Sequence, residues 1–118
     1  MINESDLEAF EYYNSNQMDD YMRAAASTAI YKQRHAVIYP ALGLAAEAGE
    51  VANKVKKIMR DDTFNRDAIA DEIGDCLWYI AALCRDLNVS MQEVADNNIK
   101  KLRDRQRRGK LAGSGDKR

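Results

Sequence analysis

Glu47 and Glu50 lie three residues apart in GLAAEAGEVANKVKK, and Glu72 and Asp75 repeat that spacing in DEIGDCLWYIA. Residues three apart on an α-helix share a face, so each segment presents two carboxylates in one direction. Around the first pair the chain is small or apolar, with Ala45, Ala46, Ala48, Gly49, Val51 and Ala52 as immediate neighbours. A helix of that composition is expected to be largely buried, and a carboxylate withdrawn from water needs compensating charge. Lys54 and Lys57 continue the stripe, but they are few against four acids; two divalent ions would balance the formal charge. Oxygen-only ligation selects a hard ion, Mg²⁺ or Mn²⁺, over structural zinc, which prefers cysteine and histidine. One acidic pair alone is common on solvated helix faces. Two pairs on consecutive apolar helices make a stronger case. A di-iron bundle would need a Glu-x-x-His motif, and the only histidine, His35, follows no such glutamate.

The elements that carry these residues are read as helices. Pro40 is the only proline, and no run of alternating β-branched residues occurs. A first helix is expected over Met18 to Tyr31, opening on acidic residues; residues 1–17 form an N-terminal extension, helical or irregular. Pro40 suits the first turn of a second helix with apolar positions from Leu42 to Met59. Asp61, Asp62, Thr63 and Asn65 interrupt the periodicity, and a third helix runs from about Asn65 to Asp86. Asn88 marks a turn, and Ser90 with Glu93 has capping-box spacing for a fourth helix reaching about Arg107. The helical domain thus spans 18–108, and the glycine-rich residues 109–118 are expected as a flexible basic tail.

A chain of 118 residues with 46% hydrophobic content fits one domain with a core thin for a self-sufficient monomer, so oligomerisation is expected. No segment has the length of apolar sequence that a membrane span needs, and the start lacks signal-peptide features, which reads as a soluble, cytoplasmic protein. Cys76 and Cys84 fall inside an apolar helical pattern and are expected as reduced core residues. From Lys100 onward nine basic residues oppose two acidic ones, leaving an end of +7 on a body of −8. Such an end can bind nucleic acid, reach a polyanionic small molecule, or lie solvated at a helix terminus.

Taken together, YPALGLAAEAGEVANKVKK, DEIGDCLWYIAAL and NIKKLRDRQRRGKLAGSGDKR resemble the MazG-type nucleoside triphosphate pyrophosphohydrolases of the all-α NTP pyrophosphatase superfamily. The likeness covers about residues 39–118, and the closing GSGD segment resembles short single-domain phage and bacterial members. It implies an all-α, four-helix bundle whose helices pack across an oligomer interface, a dimer of dimers. It implies hydrolysis of a (deoxy)nucleoside triphosphate to monophosphate and pyrophosphate in a bacterial cell or a phage's bacterial host. By the same resemblance Glu47, Glu50, Glu72 and Asp75 would hold Mg²⁺ or Mn²⁺, with two or more ions per site. Lys54 would contact phosphate, Lys57 sharing or replacing it; Tyr79 would face the nucleotide, and Asn98 and Lys101 would reach the triphosphate from the other side. The neighbouring Asn97 leaves the asparagine register open. Either Glu50 or Glu47 can serve as general base, Glu50 being preferred. Short phage-type members direct attention to deoxynucleotides, with guanine as the first base to consider.

Two other readings stand beside the enzyme. One is a helical module that binds nucleic acid through its basic end, although no aromatic residue follows Lys100. The other is a purely structural oligomeric bundle.

Overall fold

The computed structural model describes residues 17–118, and every regular element in that stretch is helical. The N-terminal extension expected over 1–17 therefore lies, but for Gln17, outside the described residues. Helices α1 (Met18–Ala26), α2 (Ile38–Asp61), α3 (Arg66–Asp86) and α4 (Met91–Arg107) follow in order, with a short 3-10 turn at Gln33–His35. Among the described residues this is the expected all-α arrangement of four helices.

The helix starts follow local chemistry. Asn65 caps α3 by accepting from the Ala68 amide at 3.0 Å, and Ser90 caps α4 by accepting from the Glu93 amide at 3.1 Å, each satisfying an amide that the helix cannot. Asp19 of α1 reinforces the second cap, taking the Ser90 hydroxyl at 2.7 Å and the Gln92 amide at 3.1 Å. Helix α1 stops at Ala26, five residues short of the expected Tyr31. The Ser27 and Thr28 hydroxyls donate back to the Ala24 and Ala25 carbonyls, both at 2.6 Å, and so take up oxygens of the last turn that a continuing helix would use.

Helix α1, the C-terminal half of α3 and the start of α4 enclose the core of Ala25, Ala81, Cys84 and Met91, with Tyr21, Met22, Trp78 and Ile80 packed around it. Helices α2 and α3 form an extensively packed hairpin, whereas α4 touches α1 and α3 over short stretches. The expected burial of α2 is not met within one chain: its only buried residue is Pro40, and Leu42 (68% exposed) and Met59 (86%) face outward. The physical reason is that the described residues of one chain supply no layer over these side chains. Ile73 and Leu77 of α3 and Val94, Ile99 and Leu102 of α4 are exposed as well. The radius of gyration, 17.2 Å, exceeds the roughly 13 Å of a compact domain of this length. Cys84 is buried as expected, Cys76 only partly, and both are free thiols. Residues 109–118 fold back on the end of α4: the Lys110 amide donates to the Arg105 carbonyl at 2.7 Å, and the buried Arg105 side chain donates to the Asp116 carbonyl.

The connection from α1 to α2 is held by one carboxylate. Asp86, its side chain 3% exposed, accepts from the Tyr31 hydroxyl at 2.7 Å, the Val37 amide at 2.9 Å and the Arg85 guanidinium at 3.0 Å. Val37 itself has φ +69° and ψ −52°, closed by an Ile38 amide to Ala36 carbonyl bond of 2.8 Å. A β-branched residue at positive φ is strained by about 1–3 kcal/mol, so the Asp86 bonds must outweigh that cost. Burial opposes ionisation of Asp86, but the Tyr31, Val37 and Arg85 donors prevail and hold its carboxyl below the usual range. Burial and then the Asp86 bond push the Tyr31 phenol up to about 12.

Asp86→Ala is expected to lower unfolding free energy by about 2–4 kcal/mol, because it strands a buried amide and a hydroxyl. Asp86→Asn, which keeps one acceptor oxygen for both, should lose less. A depressed folded pKa means that the contribution is complete above the unfolded value, near 3.9, and disappears as pH falls through the folded one. Urea titrations of the wild-type protein and Asp86→Asn between pH 7 and pH 2 should converge at the acid end; a constant gap would refute the assignment.

Candidate metal centre

The α2–α3 hairpin brings one carboxylate oxygen from each of Glu47, Glu72 and Asp75 within 4.8 Å of the others. Oxygens around a Mg²⁺ ion, bonded at about 2.1 Å in an octahedron, lie about 3.0 Å apart when adjacent and about 4.2 Å when opposite, so the three would have to draw together to share one ion. Glu50, one turn beyond Glu47, is exposed and lies outside this group of three. The electrostatics show a deficit of positive charge. Glu47 has its pKa raised, first by a hydrogen bond to the Glu72 carboxyl, then by desolvation and by repulsion from Asp75, Glu72 and Glu50. Two carboxyls this close raise the cost of ionising both, a cost that a bound cation would offset. The donor set, all hard oxygen and short of positive charge, fits a divalent ion.

Lys54 is the cation that the hairpin itself supplies, its ammonium 3.6 Å from a Glu72 oxygen. Together with Lys57, Thr63 and Asn65 it also lines a hollow of about 190 Å³ toward the closed end of the hairpin. On the other side, Glu47, Asp75, Trp78 and Tyr79 line an open depression of about 370 Å³. Metal-ligand candidates and the Tyr79 ring therefore share one surface, flanked by lysines.

The aromatic wall is locked from several directions. The Trp78 indole donates to Thr28 Oγ1 at 2.7 Å and meets Tyr79 edge-on, ring centres 5.0 Å apart. Tyr39 lies 6.3 Å from Tyr79 and stacks on Tyr31 at 4.6 Å, which links this wall to the Asp86 anchor. Burial, and then the neighbouring Tyr39, push the Tyr79 phenol up. Tyr79 sits against Gly43, where an added Cβ would fall 2.1 Å from its ring. Gly43, Tyr31 and Asp86 are the contributors that sequence reasoning missed. Only Gly43 left a signal, since a glycine inside a helix costs about 1 kcal/mol relative to alanine and needs a reason.

Asn98 and Lys101 are exposed on α4, and neither hollow on the hairpin is lined by a residue of that helix. One chain thus brings together Glu47, Glu72, Asp75, Lys54 and Tyr79, with Lys57 nearby, but leaves Asn98 and Lys101 apart.

A model of the MazG nucleotide pyrophosphohydrolase domain matches residues 34–109, the stretch that holds all of these side chains. The chain belongs to the MazG nucleotide pyrophosphohydrolase family. Gene 37 protein of Mycobacterium phage L5 is 43% identical over 112 residues, covering 86% of this chain and 98% of that protein. No solved structure matches. MazG membership agrees with the family resemblance carried by the acidic pairs, and no described helix is long and apolar enough to cross a membrane.

Gly43→Ala should displace the Tyr79 ring and destabilise the MazG domain by about 1–2 kcal/mol, despite alanine's better helix propensity. Tyr79→Leu in the same chain should recover part of that loss. Thermal denaturation of the two single variants and the double variant checks this; additive effects would show that the contact is not strained by the methyl group.

Proposed function

We propose that the protein hydrolyses (deoxy)nucleoside triphosphates to the monophosphate and pyrophosphate, with water attacking the α-phosphorus. The observation that carries this reading is the convergence of Glu47, Glu72 and Asp75 inside a MazG domain. In it Glu47, Glu50, Glu72 and Asp75 would hold two or more Mg²⁺ or Mn²⁺ ions, which would supply positive charge against the phosphates and a more acidic water. Glu50, exposed and outside the group of three, is the preferred acceptor for the proton that water gives up as its oxygen bonds to the α-phosphorus; Glu47 is the alternate base. The bond from the α-phosphorus to the bridging oxygen breaks, and Lys54 and Lys57 stabilise the charge that passes to the leaving pyrophosphate. Tyr79 faces the nucleoside.

Asn98 and Lys101 act on the triphosphate of a neighbouring subunit's site, within a homotetramer built from tight dimers. Support for assembly comes from the large apolar side chains left exposed on the hairpin, Leu42 and Met59 of α2 and Ile73 and Leu77 of α3, since extensive exposed apolar surface marks interaction sites. The setting is the bacterial cytoplasm, that of a host cell if the chain is phage-encoded.

A panel of ribo- and deoxyribonucleoside triphosphates with Mg²⁺ or Mn²⁺, beginning with dGTP and GTP, should yield monophosphate and pyrophosphate without free diphosphate. Chelation with EDTA should abolish turnover, and Glu50→Gln or Asp75→Asn should lower it by about 10²–10⁴-fold. Release of phosphate one group at a time would refute the reading. Salt-sensitive nucleic-acid binding that survives both substitutions, with no hydrolysis, would favour the basic end as the working part.

Light scattering at micromolar protein should give four times the 13.4 kDa chain mass, and Leu42→Glu should shift it downward. A monomer mass for the wild-type protein would rule the assembly out.

A further inference from the structure

Lys54 stands between two environments. Its ammonium is 3.6 Å from Glu72 Oε1, and the two side chains are 34% and 17% exposed. The same residue lines the hollow with Lys57, Thr63 and Asn65. The one carboxylate in that hollow, Asp61, is already engaged by Arg60 through bonds of 2.7 and 2.8 Å. A second lysine there leaves the hollow with unneutralised positive charge, which suits a chain of phosphates. Lys54 and Lys57 are three apart and share a helix face, and a lysine stem has four carbons about which to swing.

A divalent ion seated on Glu72 would lie within a few ångströms of the present Lys54 ammonium, and the two cations repel. The ammonium has a destination in the hollow beside Lys57. We infer that Lys54 is a two-position cation: it serves as counter-ion to Glu72 in the metal-free site, and on metal loading it turns into the hollow to grip the terminal phosphates. The inference rests on the metal reading of the carboxylates given above. It adds a coupling: metal loading frees the lysine for phosphate, and phosphate holds the lysine off Glu72, so each ligand favours the other by the same factor.

Calorimetric titration of the full chain separates this from a merely structural role. With Mn²⁺ alone, Lys54→Met and Lys54→Gln should bind the ion about five- to tenfold more tightly than the wild-type protein, because an internal competitor has gone. With preformed Mn²⁺–tripolyphosphate complex, the same variants should bind more weakly, by about the same factor. Lys54→Arg, which keeps a cation near Glu72, should stay near wild type with Mn²⁺ alone. Lys57→Met should weaken binding of the complex and leave the affinity for free Mn²⁺ unchanged. Opposite movements in one variant are what a misfolded or loosened hairpin would not produce. Equal Mn²⁺ affinity in wild type, Lys54→Met and Lys54→Gln would overturn the inference while leaving the metal site standing. Absence of Mn²⁺ binding in all of them would overturn the metal reading and this inference with it.

Discussion

Like charge crowded onto a helical hairpin is the constraint from which the rest of this structure follows. Glu47, Glu72 and Asp75 present oxygens within 4.8 Å of one another, and Glu50 adds a fourth negative group near enough to raise the Glu47 pKa. Within the hairpin the chain answers with the Lys54 ammonium, 3.6 Å from Glu72. One lysine does not remove the repulsion among these acids, and the Glu47 pKa stays raised. A fold that keeps such a group together must hold the two helices by forces elsewhere, because at the site itself electrostatics drives them apart.

Those forces are the packing along the rest of the α2–α3 hairpin and the contacts that anchor its open end. The core of Ala25, Ala81, Cys84 and Met91 fixes α1 and α4 against the second half of α3. Asp86, buried near the end of α3, reaches back through Val37 and Tyr31 to the segment that launches α2. The start of α2 is thereby tied to the end of α3, which sets the register in which Glu47 meets Glu72 and Asp75. The positive φ of Val37 belongs to this arrangement, because such strain persists only where the surroundings dictate the backbone. The Tyr31–Tyr39–Tyr79 ladder continues the tie to the rim of the carboxylates, and Gly43 gives its last ring room.

What could be read from the sequence was local. The Ser90–Glu93 cap and the start of α3 at Asn65 depend on residues three apart, and both appear as expected. The end of α1 is local too, but Ser27 and Thr28 bond back to carbonyls with the same geometry that elsewhere decorates a continuing helix, so composition alone gave Tyr31. Contacts such as Tyr31 with Asp86, or Gly43 with Tyr79, join segments far apart in sequence and have no periodic signature. The separation of Glu50 from the group of three has the same origin. Spacing places two acids on one face, but the level at which the partner helix crosses decides which of them it meets.

The small and apolar residues of α2 predict a buried helix, but composition cannot say which chain covers them. In one protomer it is open, and Asn98 and Lys101 stand away from the hairpin. Both facts turn on the same missing layer. In the tetramer proposed above, a second copy laid on α2 would exclude water from the carboxylates' neighbourhood, and a lower local dielectric strengthens every charge interaction there. Repulsion among metal-free acids would grow along with the attraction of a bound ion. Assembly and metal loading would then favour each other for one electrostatic reason, and the apolar helix and its acids would act as a single device, the first recruiting the cover that helps the second bind.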